Sequence, residues 1–146
     1  MVMRWEPFRD LMTIQNELNR LFGRTFGGEG TAAAGAAWVP ALDIFETQDR
    51  FVVTVELPGV EPDSVDLSVE DSTLTIRGER GFYRDVPEDA FHRVERRFGP
   101  FARSLTLPQT ADAERIEASF DKGVLTIEVP KVEQAKPKKI AIRARG

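Results

Sequence analysis

His92 is the single histidine of a 146-residue chain that contains no cysteine. Thiolate nucleophiles, cysteine-based zinc sites and disulfide frameworks are therefore excluded together. One imidazole cannot build a histidine metal cluster. A Ser-His-Asp relay would have to run through His92, which stands in the arginine-rich stretch FHRVERRF, read from sequence as a surface strand. The 24 carboxylates form close pairs by chance in an acidic chain, and none is singled out by the apolar setting that raises a pKa for acid catalysis. The glycines of GGEGTAAAGAA, residues 27–37, follow no strand and precede no Lys-Ser/Thr pair, so they do not make a phosphate cradle; a D-x-D-x-D-G calcium loop is also missing. The inventory argues against an enzyme, and no cofactor or metal is expected. What stands out instead is a binding element: Ile140 and Ile142 lie in strand spacing inside the basic tail KKIAIRARG.

The charge is distributed in segments. Residues 1–39 balance four arginines against four acids, residues 40–131 carry 11 basic and 19 acidic side chains, and residues 132–146 carry five basic and one acidic. An acidic body repels phosphate, so no nucleic acid is expected as a partner. The start MVMRWEPFRDLM has no apolar signal core, and no run approaches the ~18 apolar residues of a membrane span. The expectation is a cytoplasmic protein without a membrane partner.

Three parts position these features. In residues 5–22, Trp5, Phe8, Leu11, Met12, Ile14, Leu18, Leu21 and Phe22 fall on one arc at about 100° per residue, with Arg9, Asp10, Glu17 and Arg20 opposite, which predicts an amphipathic helix. The Gly/Ala stretch after it is a linker. From residue 40 the period changes to two: FVVTVELPG sets Phe51, Val53, Val55 and Leu57 against Val52, Thr54 and Glu56. SVDLSVE, TLTIRGE and FARSLTLP alternate likewise, with Arg103 sharing a face with Phe101, Leu105 and Leu107. RIEASF and VLTIEV are joined by Asp121-Lys122-Gly123, read as a three-residue hairpin loop. The prediction is an all-β, immunoglobulin-like antiparallel β-sandwich over residues 40–131, with a helical arm over 1–39 and a flexible tail over 132–146.

The stretches WVPALDIFETQDRFVVTVELPGVEPDSVDLSVEDSTLTIRGER, RRFGPFARSLTLP and ASFDKGVLTIEVPK resemble the small heat-shock protein (alpha-crystallin) family, bacterial type, over residues 38–131. The aromatic-bearing arm before them and the I-x-I motif after them complete that family's three-part layout. The resemblance implies an ATP-independent holdase, which captures unfolding client proteins under heat or other stress and passes them to ATP-dependent refolding chaperones. It implies a homodimer as the building block of a larger homo-oligomer.

Residue by residue, the resemblance makes Ile140 and Ile142 the oligomerisation tail, docking between the strands VDLSVE and RIEASF, with Leu67, Val69, Ile116 and Ala118 accepting it. Alternation alone does not separate groove-facing from core-facing positions there, and the tail can reach a neighbour or its own domain. Phe82, Tyr83 and Arg84 look like the short strand that crosses to a partner's LDIF, placing Leu42 and Ile44 with them and Arg103 in the dimer interface. Trp5, Phe8, Met12, Leu18 and Phe22 lead the client-binding surface, which has to offer apolar area to unfolding chains. The alternative is a monomeric co-chaperone-type β-sandwich interaction module; such modules usually lack both the arm and the I-x-I motif.

Overall fold

The computed structural model describes residues 36–145, so the helical arm and its client-binding residues Trp5, Phe8, Met12, Leu18 and Phe22 lie outside the described residues. The chain divides into two compact units, one holding residues 60–108 with the approach through Val39, the other holding 40–59 and 109–146.

The second unit is a four-stranded antiparallel sheet built from β1 (Leu42–Glu46), β2 (Arg50–Glu56), β6 (Glu117–Asp121) and β7 (Val124–Pro130), in the order β1-β2-β7-β6. The period-2 pattern sets its register. Phe51 pairs with Val129, Val53 with Ile127 and Val55 with Leu125, so six apolar side chains line one face of the central pair, and all six are buried. β1 and β6 take the edges, and their sequences, LDIFE and EASFD, carry two acids each, which suits strands left with one neighbour. Asp121 pairs with Val124, so the β6–β7 connection has two loop residues rather than the three expected. Lys122 (φ 52°) and Gly123 (φ 79°) both adopt left-handed conformations, the signature of a type I′ turn whose twist matches the strands. Space at the second position is tight as well, since a Cβ there would lie 3.0 Å from the Pro58 backbone.

The first unit is a three-stranded antiparallel sheet, β3 (Asp66–Glu70), β4 (Thr73–Arg80) and β5 (Gly99–Thr106), with β4 central. Its inward face is a set of cross-strand rows: Val69-Leu74-Leu105, Leu67-Ile76-Arg103 and Gly78-Phe101. The last row has a packing reason. Phe101 is buried and tilts against Trp38 at 5.1 Å between ring centroids, and its ring occupies the space a side chain at residue 78 would need. A Cβ on Gly78 would overlap the Phe101 ring and approach the Ser64 carbonyl oxygen to 2.9 Å. Gly78→Ala is therefore expected to destabilise the domain by about 1–3 kcal/mol, the usual cost of overpacking a core. Thermal denaturation would read this as a fall in Tm of several degrees per kcal/mol.

Residues 91–98, FHRVERRF, contain no strand, which corrects the strand reading of that stretch. Arg93, Glu95, Arg96 and Arg97 are all exposed, and only Phe91 and Phe98 turn partly inward. The alternation of apolar and charged residues there has no neighbouring strand to pair with, so it ends as loop. Phe82, Tyr83 and Arg84 are likewise outside any strand in the single chain.

Candidate interaction edges

The two sheets end on four edge strands, β1 and β6 in one unit and β3 and β5 in the other, of which β5 is bridged by Trp38 at Phe101 and accepts the Ala37 N–H at Pro100. Three of them are acidic, with Asp43 and Glu46 on β1, Asp66 and Glu70 on β3, and Glu117 and Asp121 on β6. Carboxylates on an edge repel the same edge of another copy and leave it open to a basic strand. The basic strand-forming segment in this chain is its own tail. Ile140 and Ile142 are 83% and 95% exposed, and residues 138–145 form no strand pairing in the single chain.

The segment before the tail is held in place. Lys131 donates its backbone N–H to the Asp49 carbonyl (2.9 Å), Val132 donates to the Thr110 carbonyl (2.8 Å), and a 3-10 turn over Glu133–Ala135 follows. Glu133 accepts from Lys136 Nζ at 3.0 Å and faces Arg115 at 3.8 Å. The Lys136 hydrogen bond, more than the charges around it, holds the Glu133 carboxyl below its ordinary range. Lys131 Nζ reaches Glu46 at 3.4 Å and lies over the Phe51 ring. This buckle spans residues 131–136, so the tail, expected to be flexible from residue 132, is tied to the unit as far as Lys136.

The sequence-derived residues fall as follows. Leu67 is half-buried and Val69 exposed on β3; Ile116 is half-buried just before β6, and Ala118 is exposed on β6. Leu42 and Ile44 are half-buried on β1. Arg103 is half-buried on β5 between Phe101 and Leu105, and burial lowers its guanidinium pKa. Phe82 and Tyr83 are 46% and 48% exposed, and they pack with Phe91 and Phe98 at 4.8–5.6 Å between centroids. Arg84 is exposed.

Sequence reasoning missed Trp38 and Arg80. Trp38 donates its indole N–H to the Gly99 carbonyl at 2.9 Å, and the Arg80 guanidinium lies 4.2 Å from the Trp38 ring centroid while donating to the Arg97 carbonyl at 2.9 Å. Arg80 is buried, and the loss of solvent lowers its pKa, with Arg96 adding to the effect. The available signal was an arginine closing a strand whose other buried members are apolar.

A cleft of about 460 Å³ in the second unit is lined by Arg50, Arg115, Lys136, Asp49, Glu114 and Glu128 among others. Arg50 reaches Glu128 at 3.1 Å and Asp49 at 3.4 Å. Asp49 is held below the usual carboxylate range by the Thr47 hydroxyl first and by Arg50 second. His92 is exposed on the loop. Among the described residues no cluster of three or more histidine, cysteine or acidic side chains is placed to hold a metal, and no helix is long and apolar enough to cross a membrane.

The described residues thus form two antiparallel sheets with acidic edge strands, followed by a basic tail carrying an exposed isoleucine pair. Residues 43–143 match the Hsp20/alpha crystallin family, and the chain belongs to that family. It is 41% identical over 103 residues to the small heat shock protein C4 of Rickettsia felis, an alignment covering 70% of this chain and 63% of that protein's length. It is 37% identical over 135 residues to the 17.8 kDa class I heat shock protein of Arabidopsis thaliana, covering 92% of this chain and 78% of the other. Among solved structures, a small heat-shock protein from Xylella fastidiosa matches with a TM-score of 0.65 and 38% identity, over 75% of this chain and all of that one. The all-β, alpha-crystallin fold class expected from the sequence is thereby shown. Members of the family are ATP-independent chaperones that form homo-oligomers.

Proposed function

We propose that this chain is a holdase that assembles through its tail and captures clients through its arm. The family match carries the chaperone function, and the exposed isoleucine pair in a basic tail, together with the acidic edge strands, supports the mode of assembly. In this reading residues 1–39 are the client-binding arm, 40–131 the alpha-crystallin domain and 132–146 the assembly tail. Ile140 and Ile142 of one subunit bind a neighbour at Leu67 and Val69 on β3, at Ile116 just before β6 and at Ala118 on β6. Main-chain hydrogen bonds to an open edge supply affinity, and the two side chains on one face of an extended segment supply register. The building block is a homodimer in which Phe82, Tyr83 and Arg84 meet Leu42 and Ile44 of a partner's β1, with Arg103 at the interface. Captured clients pass to ATP-dependent refolding chaperones, and the protein works in the cytoplasm. The monomeric co-chaperone module is disfavoured by the family match together with the I-x-I tail.

The test heats an aggregating client with this protein in the absence of ATP and follows light scattering. Full suppression at about one subunit per client is the expected result. Deleting residues 1–30 should remove most of that protection and alter the assembly's size; if both stay unchanged, the arm is not the client surface.

A further inference from the structure

Arg80 is the one charged side chain buried among the described residues, at 7% exposed, and it closes β4 where the loop of residues 81–98 begins. Among the described residues no carboxylate pairs with it, and the charge beside it is Arg96, which repels it. A cation taken out of water without a counter-ion is costly unless its neighbours compensate. Two neighbours do so. The face of Trp38 lies 4.2 Å from the guanidinium, measured to the ring centroid, and the Arg97 carbonyl accepts from Nη1 at 2.9 Å. Nε is buried with no hydrogen-bond partner. A ring face binds a cation more strongly once water is excluded, so Trp38 stands in for the missing carboxylate.

These contacts join segments that are remote in the chain. Between Gly81 and Phe98 the backbone has one 3-10 turn, Glu88–Ala90, and no strand pairing. Gly99, where the loop rejoins β5, stands opposite Arg80 in the ladder, and Arg97 lies just before it. One side chain therefore pins the two ends of the loop to each other and both of them to Trp38. Trp38 is held by a single bridge to Phe101 and by its indole N–H on the Gly99 carbonyl, with the Ala37 N–H on the Pro100 carbonyl beside it, rather than by a strand.

We propose that Arg80 is a positioning residue that couples the root of the arm to the loop: Trp38 seated on the guanidinium holds residues 81–98 in place, and Trp38 displaced from it lets them loosen. Without the ring, the buried cation turns toward water and takes its bond to Arg97 with it. The consequence for assembly rests on the dimer reading above, since this loop presents Phe82, Tyr83 and Arg84 to a partner. A pull on residues 1–39 then reaches the dimer contact through one cation and one ring, with β4 and β5 left as they are. The coupling is reciprocal, so a partner that orders the loop also holds Trp38.

Hydrogen exchange of the full-length chain, read peptide by peptide, tests this. Arg80→Met removes the charge and keeps an apolar stem; Trp38→Leu removes the ring face and keeps apolar bulk. Each should raise exchange across residues 81–98 several-fold while residues 73–77 of β4 and 124–130 of β7 keep their protection. Arg80→Met/Trp38→Leu should exchange no faster than the faster single variant, because both changes break the same contact. Unchanged exchange over 81–98 in either single variant overturns the proposal, as does multiplication of the two effects in the double variant. Protection lost equally in β4 and β7 overturns it too, by making Arg80 a residue of general stability. The native mass of the unaltered chain reports the dimer separately: a monomer removes the dimer reading, while the loop comparison still decides the coupling.

Discussion

Replacing Ile140 and Ile142 together by alanine is expected to collapse the native mass from that of the full assembly to that of a small building block, close to a dimer. Each replacement removes three carbons from a side chain that docking would bury, a loss of about 2 kcal/mol at roughly 0.8 kcal/mol per methylene. Two such losses per tail exceed what a weak, entropically costly contact retains, so each tie loosens by about two to three orders of magnitude. Because the assembly depends on several ties acting at once, its mass should drop sharply rather than in proportion. Size-exclusion chromatography with multi-angle light scattering measures this, and an unchanged mass would remove the tail from the assembly mechanism. Both isoleucines are already exposed in the single chain, so the substitutions should leave the domain's Tm unaltered, which separates lost assembly from lost folding.

Arg103→Gly should damage assembly more than its effect on folding accounts for. Arg103 sits in the row Leu67-Ile76-Arg103, half-buried, with its guanidinium pKa lowered by burial. The glycine itself costs about 0.5–1 kcal/mol of strand stability, and loss of the aliphatic stem uncovers part of the row. A partly desolvated guanidinium is favourable where a carboxylate lies opposite it, and stripping one member from a buried pair costs about 3–5 kcal/mol. The dimer interface is the proposed site of such a pair. Arg103→Leu tests the charge separately, since it keeps apolar bulk while removing the cation. If the interface is ionic, both variants lose dimer mass; if Arg103→Leu assembles as the unaltered chain does, stem packing is the whole of its role.

The central strands were the most legible part of the molecule. Phe51, Val53, Val55 and Leu125, Ile127, Val129 alternate strictly, and a register slip by one residue would turn every one of them outward. Lys122-Gly123 announced its turn, although not the turn's length, which depends on the Asp121–Val124 pairing. The arginine-rich loop was read as a strand because alternation in FHRVERRF looks the same whether or not a neighbouring edge is there to pair with it. Trp38 and Gly78 each owe their role to Phe101, which is remote in the chain from both, and no local pattern encodes that meeting. At the candidate site, Ile140 and Ile142 stood out by spacing alone. The buckle did not, since it depends on carbonyls of Asp49 and Thr110 that the sequence does not bring near Lys131.

That buckle fixes a length scale. With the chain secured as far as about Pro137, Ile140 lies three residues out and Ile142 five, a fully extended reach of roughly 10 and 17 Å. A tail released directly after β7 would sweep about three times that radius and could catch neighbours at many separations. If the tail docks as proposed, the short leash would admit only a receiving edge that comes close to the end of β7. In the proposed assembly, the backbone hydrogen bonds of Lys131 and Val132 and the turn over Glu133–Ala135 would thereby limit how far apart two subunits joined by this tail can stand.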